Sequence, residues 1–124
     1  MKRYGFANGC FNKFHLGHAC FLAEAKRLCD YLIVAVNDDA SVRRLKGVRP
    51  LDKAIDRVER VAGFADTAMT FDGDVRTLIK RVNPDVLIRG WDQGMAEYGL
   101  APVFVQLPRY VDISTTRIVN GLQQ

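Results

Sequence analysis

Short, uninterrupted apolar runs alternate along this chain with longer segments in which apolar residues recur at helical spacing. The runs at 31–36 (YLIVAV), 86–88 (VLI) and 103–105 (VFV) are too short for core helices and are typical of strands covered on both faces. Two further strands are predicted at 3–7 and 68–71. Helical spacing is found at 18–28, 52–64 and 75–82, and capping residues before an apolar stretch predict a last helix at 114–122.

This alternation predicts an α/β domain in which mainly parallel strands are joined by right-handed helical crossovers. We expect a Rossmann-like, three-layer arrangement with a sheet of about five strands. Ligands of such folds bind beyond the carboxyl ends of the strands. The turns that follow Ala7, Val36, Ile88 and Val105 are therefore where we expect the functional residues.

The composition is that of an ordinary globular domain. The 124 residues, 48% of them apolar, suffice for one domain, placed at 1–124, and no apolar run is long enough for a membrane span or a signal peptide. The net charge of +4 suits an anionic partner, either a small phosphorylated ligand or nucleic acid. Cys10, Cys20 and Cys29 are an odd number without a signal peptide, which indicates reduced thiols and a cytoplasmic protein.

The turn after the first strand holds the only two histidines of the chain, His15 and His18, between Gly9 and Gly17. Glycine permits backbone conformations and close approaches that other residues resist. The histidines lie at the start of a predicted helix, whose free amide groups favour an anion. Two imidazoles, free amides and no general-base carboxylate indicate a cradle for phosphate oxygens. The dinucleotide fingerprint and the G-x-x-x-x-G-K-[ST] phosphate loop are both absent.

Two other interpretations of this turn stay open at this point. In the first, the histidines only cap the helix. In the second, Cys10, His15, His18 and Cys20 bind zinc, although their spacing matches no common zinc pattern and Cys20 would face the core.

Several segments resemble a known family. GCFNKFHLGH (9–18) resembles the GxFDxxHxGH signature of the cytidylyltransferase-like nucleotidyltransferases. The segments DYLIVAVNDDASVRRLKG (30–47) and NPDVLIRGWD (83–92) look like the adenylyltransferases that form ADP-heptose from heptose 1-phosphate. LPRYVDISTT (107–116) is similar to a motif of the glycerol-3-phosphate cytidylyltransferases.

The resemblance implies that a nucleoside monophosphate is transferred from a triphosphate to a sugar or polyol phosphate, with release of pyrophosphate and with Mg²⁺ as cofactor. The first ninety residues favour ATP and a heptose-type acceptor, and the last twenty favour CTP and glycerol phosphate or a similar polyol phosphate. The expected partners are the triphosphate, a phosphorylated small-molecule acceptor and a second copy of the chain in a homodimer. A membrane is not expected. Nucleic acid is not expected either, because Arg43-Arg44-Leu45-Lys46 is accompanied by no aromatic stripe and no recognition helix.

The same resemblance assigns roles to individual residues. The catalytic residues are His15, His18 and Lys46, and the acceptor is bound by Arg57 and Arg109. The nucleotide is bound by Gly9, Cys10, Phe11, Asn12, Gly17, Arg89, Gly90, Asp92, Ser114, Thr115 and Thr116. Each of four residues has an ordinary structural alternative: a solvated surface charge for Lys46, a salt bridge for Arg57, a turn cap for Asp92 and a helix N-cap for Ser114.

Two residues depart from the family pattern. Asn12 replaces the usual Asp, and it keeps activity if that residue only forms the turn, since Asn and Asp both suit such loops. If the carboxylate instead orients a histidine or contacts a metal ion, the chain is a nucleotide-binding module with weak turnover. Trp91 replaces a Gly, and it either fills part of the acceptor pocket, stacks on a base or sugar, or only packs.

Overall fold

The computed structural model describes residues 1–110, so the predicted helix at 114–122, with Ser114, Thr115 and Thr116, lies outside the described residues. Within them the chain alternates between strands and helices, as the apolar pattern predicts. The strands are β1 (Tyr4–Gly9), β2 (Tyr31–Asn37), β3 (Thr67–Phe71), β4 (Val86–Arg89) and β5 (Val103–Gln106). The helices are α1 (Leu16–Arg27), α2 (Asp39–Lys46), α3 (Ala54–Ala62) and α4 (Val75–Val82).

The five strands form one sheet in the order β3-β2-β1-β4-β5, and each neighbouring pair is parallel. This confirms the predicted Rossmann-like class. Strand β1 is central and pairs with β2 on one side and β4 on the other, with Gly9 opposite Val36. Parallel strands end at the same edge of the sheet, so the turns after β1, β2, β4 and β5 converge there.

Two apolar clusters cover the two faces of the sheet and produce three layers. Strand β2 shows this most clearly, because its successive residues point to opposite faces. Val34 and Val36 pack with Leu22 of α1 and Val61 of α3. Ala35 belongs to the opposite cluster, which it forms with residues that include Phe6, Ile79 and Leu87.

Helix α2 is not predicted by the apolar pattern. Its buried residues are Ser41 and Val42, whereas Leu45 is exposed, so it carries no apolar stripe. Its ends do follow sequence signals: the Asp38 side chain accepts from the N–H of Ser41, and Gly47 ends the helix at φ 75°. Lys46 therefore lies in the last turn of a helix and not directly after β2.

None of the helices within residues 1–110 combines the length and the apolar character that crossing a membrane requires. Cys10, Cys20 and Cys29 are free thiols.

Candidate active site

The histidine turn, residues 10–15, connects β1 to α1 at the carboxyl edge of the sheet. Its backbone is unusual, because Phe11 (φ 51°) and Lys13 (φ 53°) adopt the left-handed conformation that side chains disfavour. Phe11 is nevertheless buried in the core, which holds the turn in place. Strained backbone of this kind is often found at functional sites.

Gly17 is required for space. A Cβ atom at this position would collide with the backbone oxygen of Tyr110 and would lie 2.8 Å from Cε1 of His15. The last residue that the structure describes therefore lies against the start of α1. Glycine allows the close approach that the sequence predicts here.

The two histidines form a reciprocal cap on α1. Nδ1 of His15 accepts from the N–H of Gly17 at 3.0 Å, and Nδ1 of His18 accepts from the N–H of His15 at 3.2 Å. The rings are stacked, with centroids 3.9 Å apart. A neutral imidazole whose Nδ1 accepts carries its proton on Nε2. Both side chains are thus left with an Nε2–H donor that the cap does not use.

Aromatic neighbours keep His18 uncharged. Phe11 and Phe14 lie against its ring, with centroid distances of 5.5 and 5.4 Å. Burial and, to a smaller extent, the charge of His15 lower the pKa of His18 to about 4, and the carboxylate of Asp92 opposes them. His18 is therefore a neutral donor at physiological pH. The histidines do cap the helix, but within residues 1–110 their Nε2–H groups have no hydrogen-bond partner.

Asn12 connects the histidine turn to the loop between α2 and α3. Its side-chain oxygen accepts from the backbone N–H of Leu51 at 3.1 Å. An amide oxygen and a carboxylate oxygen can both make this bond. The contact is the one expected of a residue that shapes the turn.

Arg57 does not lie where a substrate could reach it, and the prediction that it binds the acceptor is corrected. Its side chain is 0% exposed. It donates to the backbone oxygens of Asp52 (3.0 Å), Cys10 (2.7 Å) and Asn37 (2.7 Å), and to the carboxylate of Asp39 (2.7 Å). All three nitrogens of the guanidinium thus donate to oxygen atoms within the protein. Arg57 holds the histidine turn, the end of β2 and the start of α2 together.

Lys46 is exposed, and its charge acts on the histidine turn. Burial raises the pKa of the Cys10 thiol, and the charge of Lys46 is the largest influence opposing that rise. The predicted contact of Lys46 with phosphate oxygens stays a prediction. Cys10 itself contributes its backbone oxygen to Arg57.

Arg89, at the end of β4, faces into the protein, and its internal pairing does not favour the predicted contact with the nucleotide. Its side chain is 5% exposed, forms an ion pair with Glu97 at 2.9 Å and donates to the side-chain oxygen of Asn8. Burial lowers the pKa of the guanidinium, and the carboxylates of Glu97 and Asp92 oppose this. Arg89 therefore anchors the β4–β5 loop, residues 90–102, to the end of β1.

Two glutamines fix the beginning of the β4–β5 loop. The Gln93 side chain accepts from the N–H of Gly90 at 2.6 Å and donates to the backbone oxygen of Asn8 at 2.8 Å. The Gln106 amide donates to the backbone oxygens of Gly90 (3.2 Å) and Trp91 (3.3 Å). Asn8, Gln93, Glu97 and Gln106 are missed by sequence reasoning. Asn8, Gln93 and Gln106 are polar residues at or near the carboxyl ends of strands, which is a weak signal, and Glu97 lies within the β4–β5 loop and gives none.

Asp92 lies within electrostatic range of the site, since it affects the pKa of both Cys10 and His18. Its neighbour Trp91 is 53% exposed. The guanidinium of Arg109 lies over the indole, 5.1 Å from the ring centroid, and Arg109 is itself exposed. Arg109 thus contacts Trp91, the residue that precedes Asp92 in the β4–β5 loop.

A basic cleft lies beside the α2–α3 loop. It has a volume of about 660 Å³ and is lined by Arg43, Arg44, Arg49 and Lys53, together with Asp39, Ala40 and Pro50. Among residues 1–110 none of these four cations forms an ion pair. Like charges that share a concave surface favour an anion there. Sequence reasoning assigns no ligand-binding role to these residues.

The zinc interpretation is not supported. Within residues 1–110 no group of three or more His, Cys, Asp or Glu side chains is arranged to hold a metal ion.

The fold and the histidine turn define an α/β protein of the Rossmann-like class, and comparison with known proteins specifies its family. The cytidylyltransferase-like family model matches residues 6–121. The chain belongs to the cytidylyltransferase-like family, which confirms the resemblance of its motifs.

Curated relatives are described as the bifunctional protein HldE. The relative from Campylobacter curvus is 44% identical over 129 aligned positions, and the one from Nitratiruptor is 48% identical over 130. The alignments cover 98% of this chain and 28% of each relative, so the chain spans little more than a quarter of their length. A crystal structure of the lipopolysaccharide core biosynthesis protein from Thermoplasma volcanium is similar over 89% of this chain and 99% of that one, with 28% identity and a TM-score of 0.75.

Proposed function

We propose that this chain transfers a nucleoside monophosphate from a nucleoside triphosphate to the phosphate of a sugar, releasing pyrophosphate. The observation that carries the proposal is the stacked pair His15 and His18. Their Nδ1 atoms are engaged by backbone N–H groups, so both present an Nε2–H donor at the N-terminus of α1. Two imidazole N–H donors beside a helix N-terminus suit an anion that gains charge during reaction.

In the proposed reaction an oxygen of the acceptor phosphate attacks the α-phosphorus in line. The new P–O bond forms as the bond to the β-phosphate oxygen breaks, and pyrophosphate leaves with that electron pair. The nucleophile is already an anion, so no general base is needed. Rate enhancement then depends on alignment and on stabilising charge around the α-phosphorus and the leaving group. The Nε2–H groups, the amides of α1 and the Lys46 ammonium serve that purpose.

Mg²⁺ is part of the proposal and fits the residues present. Proteins usually hold this ion through one or two carboxylates together with substrate phosphates. Asp92 is an exposed carboxylate in electrostatic contact with His18, and it is the residue that would hold the ion. When bound, the ion neutralises charge on the phosphates.

For the substrates we propose ATP and a heptose-type sugar phosphate. This choice is supported by the likeness of residues 30–47 and 83–92 to the ADP-heptose-forming enzymes and by the structural neighbour, which is described as a lipopolysaccharide core biosynthesis protein. The acceptor phosphate has two cationic locations open to it, Arg109 and the basic cleft. The alternative, CTP with a polyol phosphate such as glycerol phosphate, is favoured by residues 107–116.

Pyrophosphate release with a panel of triphosphates and acceptor phosphates tests the proposal. We expect release only when a triphosphate and a sugar phosphate are present together, fastest with ATP and a heptose 1-phosphate. The control is His18→Ala, which has no side-chain N–H donor and should release pyrophosphate much more slowly. Triphosphate binding without release for any acceptor would identify a nucleotide-binding module and overturn the proposal.

A further inference from the structure

Trp91 is the only tryptophan of the chain, and it stands exposed on a segment that is otherwise tightly held. Gln93 accepts from the N–H of Gly90 before it, and Gln106 donates to the backbone oxygen of Trp91 itself. The anchored backbone presents the indole in a defined place. The indole is 53% exposed, so part of the ring is open to a ligand.

The position of Trp91 connects it to the chemistry. It lies one residue before Asp92, whose charge reaches His18 and Cys10, and two residues after Arg89, which is tied to the end of β1. The indole is thus carried by the loop whose Asp92 acts electrostatically on the histidine turn, where the triphosphate is proposed to bind. Asp92 beside it offers carboxylate oxygens to hydroxyl groups and would repel phosphates that lack a cation.

Arg109 adds a second component. Its guanidinium lies 5.1 Å from the indole centroid, and within residues 1–110 it forms no ion pair. A guanidinium that stacks on a ring keeps its N–H edge available for an anion. The pair therefore combines a flat π-surface, on which a base can stack, with a cation whose N–H edge stays open to the acceptor phosphate.

We propose that Trp91 is the stacking platform for the nucleobase of the bound triphosphate, with Arg109 covering the indole face that the base does not use. This inference rests on the proposed function. It assigns the base, and not the acceptor sugar, to the β4–β5 loop. Stacking is tolerant of base identity, so Trp91 supplies affinity, and the choice between purine and pyrimidine is made by other groups.

Intrinsic fluorescence tests this directly, because all tryptophan emission comes from Trp91. We expect ATP to quench the emission in a saturable way in the presence of Mg²⁺. Inorganic triphosphate, which carries the same phosphates without a base, should bind without quenching. Equal quenching by inorganic triphosphate, or quenching by the sugar phosphate alone with ATP silent, would overturn the proposal.

Substitution gives an independent readout. Trp91→Gly should raise KM for ATP by about tenfold, within the range measured for loss of one base–aromatic stack, and leave kcat within about threefold. Trp91→Phe should restore most of the affinity. Met95→Ala, an exposed apolar position in the same loop, is the matched control and should leave KM unchanged. An unchanged KM for ATP in Trp91→Gly, or a raised KM for the acceptor alone, would overturn the assignment.

The outcomes separate this inference from the proposed function. If pyrophosphate is released at normal KM by Trp91→Gly, the transferase proposal stands and the platform is wrong. If the wild-type protein releases no pyrophosphate but ATP quenches Trp91 and inorganic triphosphate does not, the platform stands and the transferase proposal fails.

Discussion

The side-chain oxygen of Asn12 accepts a hydrogen bond from the backbone N–H of Leu51, so the histidine turn is tied to a loop 39 residues further along the chain. The family signature has Asp at this position. Since a carboxylate oxygen accepts the same bond, the contact itself does not distinguish the two residues. The shape of the turn, and not a charge, is what the structure shows this residue to maintain.

Asn12→Asp should therefore leave kcat within a few-fold of the wild-type value. Asn12→Ala, which removes the acceptor, should lower both stability and kcat. Steady-state pyrophosphate release and urea unfolding measure the two effects. A rise of tenfold or more in kcat for Asn12→Asp, about 1.4 kcal/mol in the barrier, would show that the carboxylate acts electrostatically and that this chain is a weakened enzyme.

His15→Ala should lower kcat by about 100-fold, the scale for losing one preorganised donor. It should also lower the free energy of unfolding by about 1 kcal/mol, because the side chain caps α1. His15→Asn separates the two effects, since Asn is a good N-cap but has no Nε2–H. If His15→Asn had the wild-type kcat, the only role of His15 would be to cap α1.

His18 should make the stability of the protein depend on pH. Its folded pKa of about 4 lies below the ordinary value of 6.5, so the unfolded chain binds more protons there between these two values. The contribution of His18 to the free energy of unfolding should be constant above pH 6.5 and should decrease as the pH drops towards 4. Urea unfolding across this range should show a shallower decline for His18→Gln, which does not titrate. Equal slopes for the two proteins would contradict the lowered pKa.

Arg57→Ala should reduce the free energy of unfolding by about 3 kcal/mol or more, because it leaves three backbone oxygens and the Asp39 carboxylate without their donor. Asp39→Asn is the control and should have a smaller effect, since Asp39 is half exposed. Chemical unfolding gives both values. A stable Arg57→Lys variant whose only defect is a raised KM for the acceptor would restore the acceptor-binding role.

Replacement of Ser114 and Thr115 together by Ala tests the prediction that residues outside the described part of the chain bind phosphate. Loss of two hydroxyl donors to a charged group should weaken ATP binding by about tenfold. Isothermal titration calorimetry with ATP and with inorganic triphosphate measures it. If the affinities of both ligands are unchanged, these hydroxyls do not contact the phosphates.

Much of the fold could be predicted because a strand that is buried on both faces is an uninterrupted run of apolar residues. The run YLIVAV becomes β2, whose side chains fill both apolar clusters. Helix α2 gives no such signal, since it buries mainly Ser41 and Val42. Its Asp38 cap and terminal Gly47 are visible in the sequence, but turn residues alone do not distinguish a helix from a loop.

The sequence predicts the residues of the site whose geometry is fixed by a local motif. It does not predict the roles of residues that depend on whether the side chain is buried. His15 and His18 are three residues apart, and that spacing alone lets each contact the helix N-terminus. In the sequence, nothing distinguishes Arg57 and Arg89 from an exposed arginine. Only the tertiary structure shows that one is enclosed by backbone oxygens and that the other is paired with Glu97. The sequence pattern does not report these long-range contacts.

The close contact between Gly17 and Tyr110 constrains how this protein can vary. Gly17 lies in the first turn of α1 without a left-handed backbone, so alanine would satisfy the helix and even strengthen its local propensity. What alanine would displace is the backbone of Tyr110. A substitution that suits the helix backbone would therefore press on the ring of His15 and separate the start of α1 from Tyr110, which follows β5. The absence of a side chain at Gly17 is what allows two parts of the chain that are distant in sequence to touch.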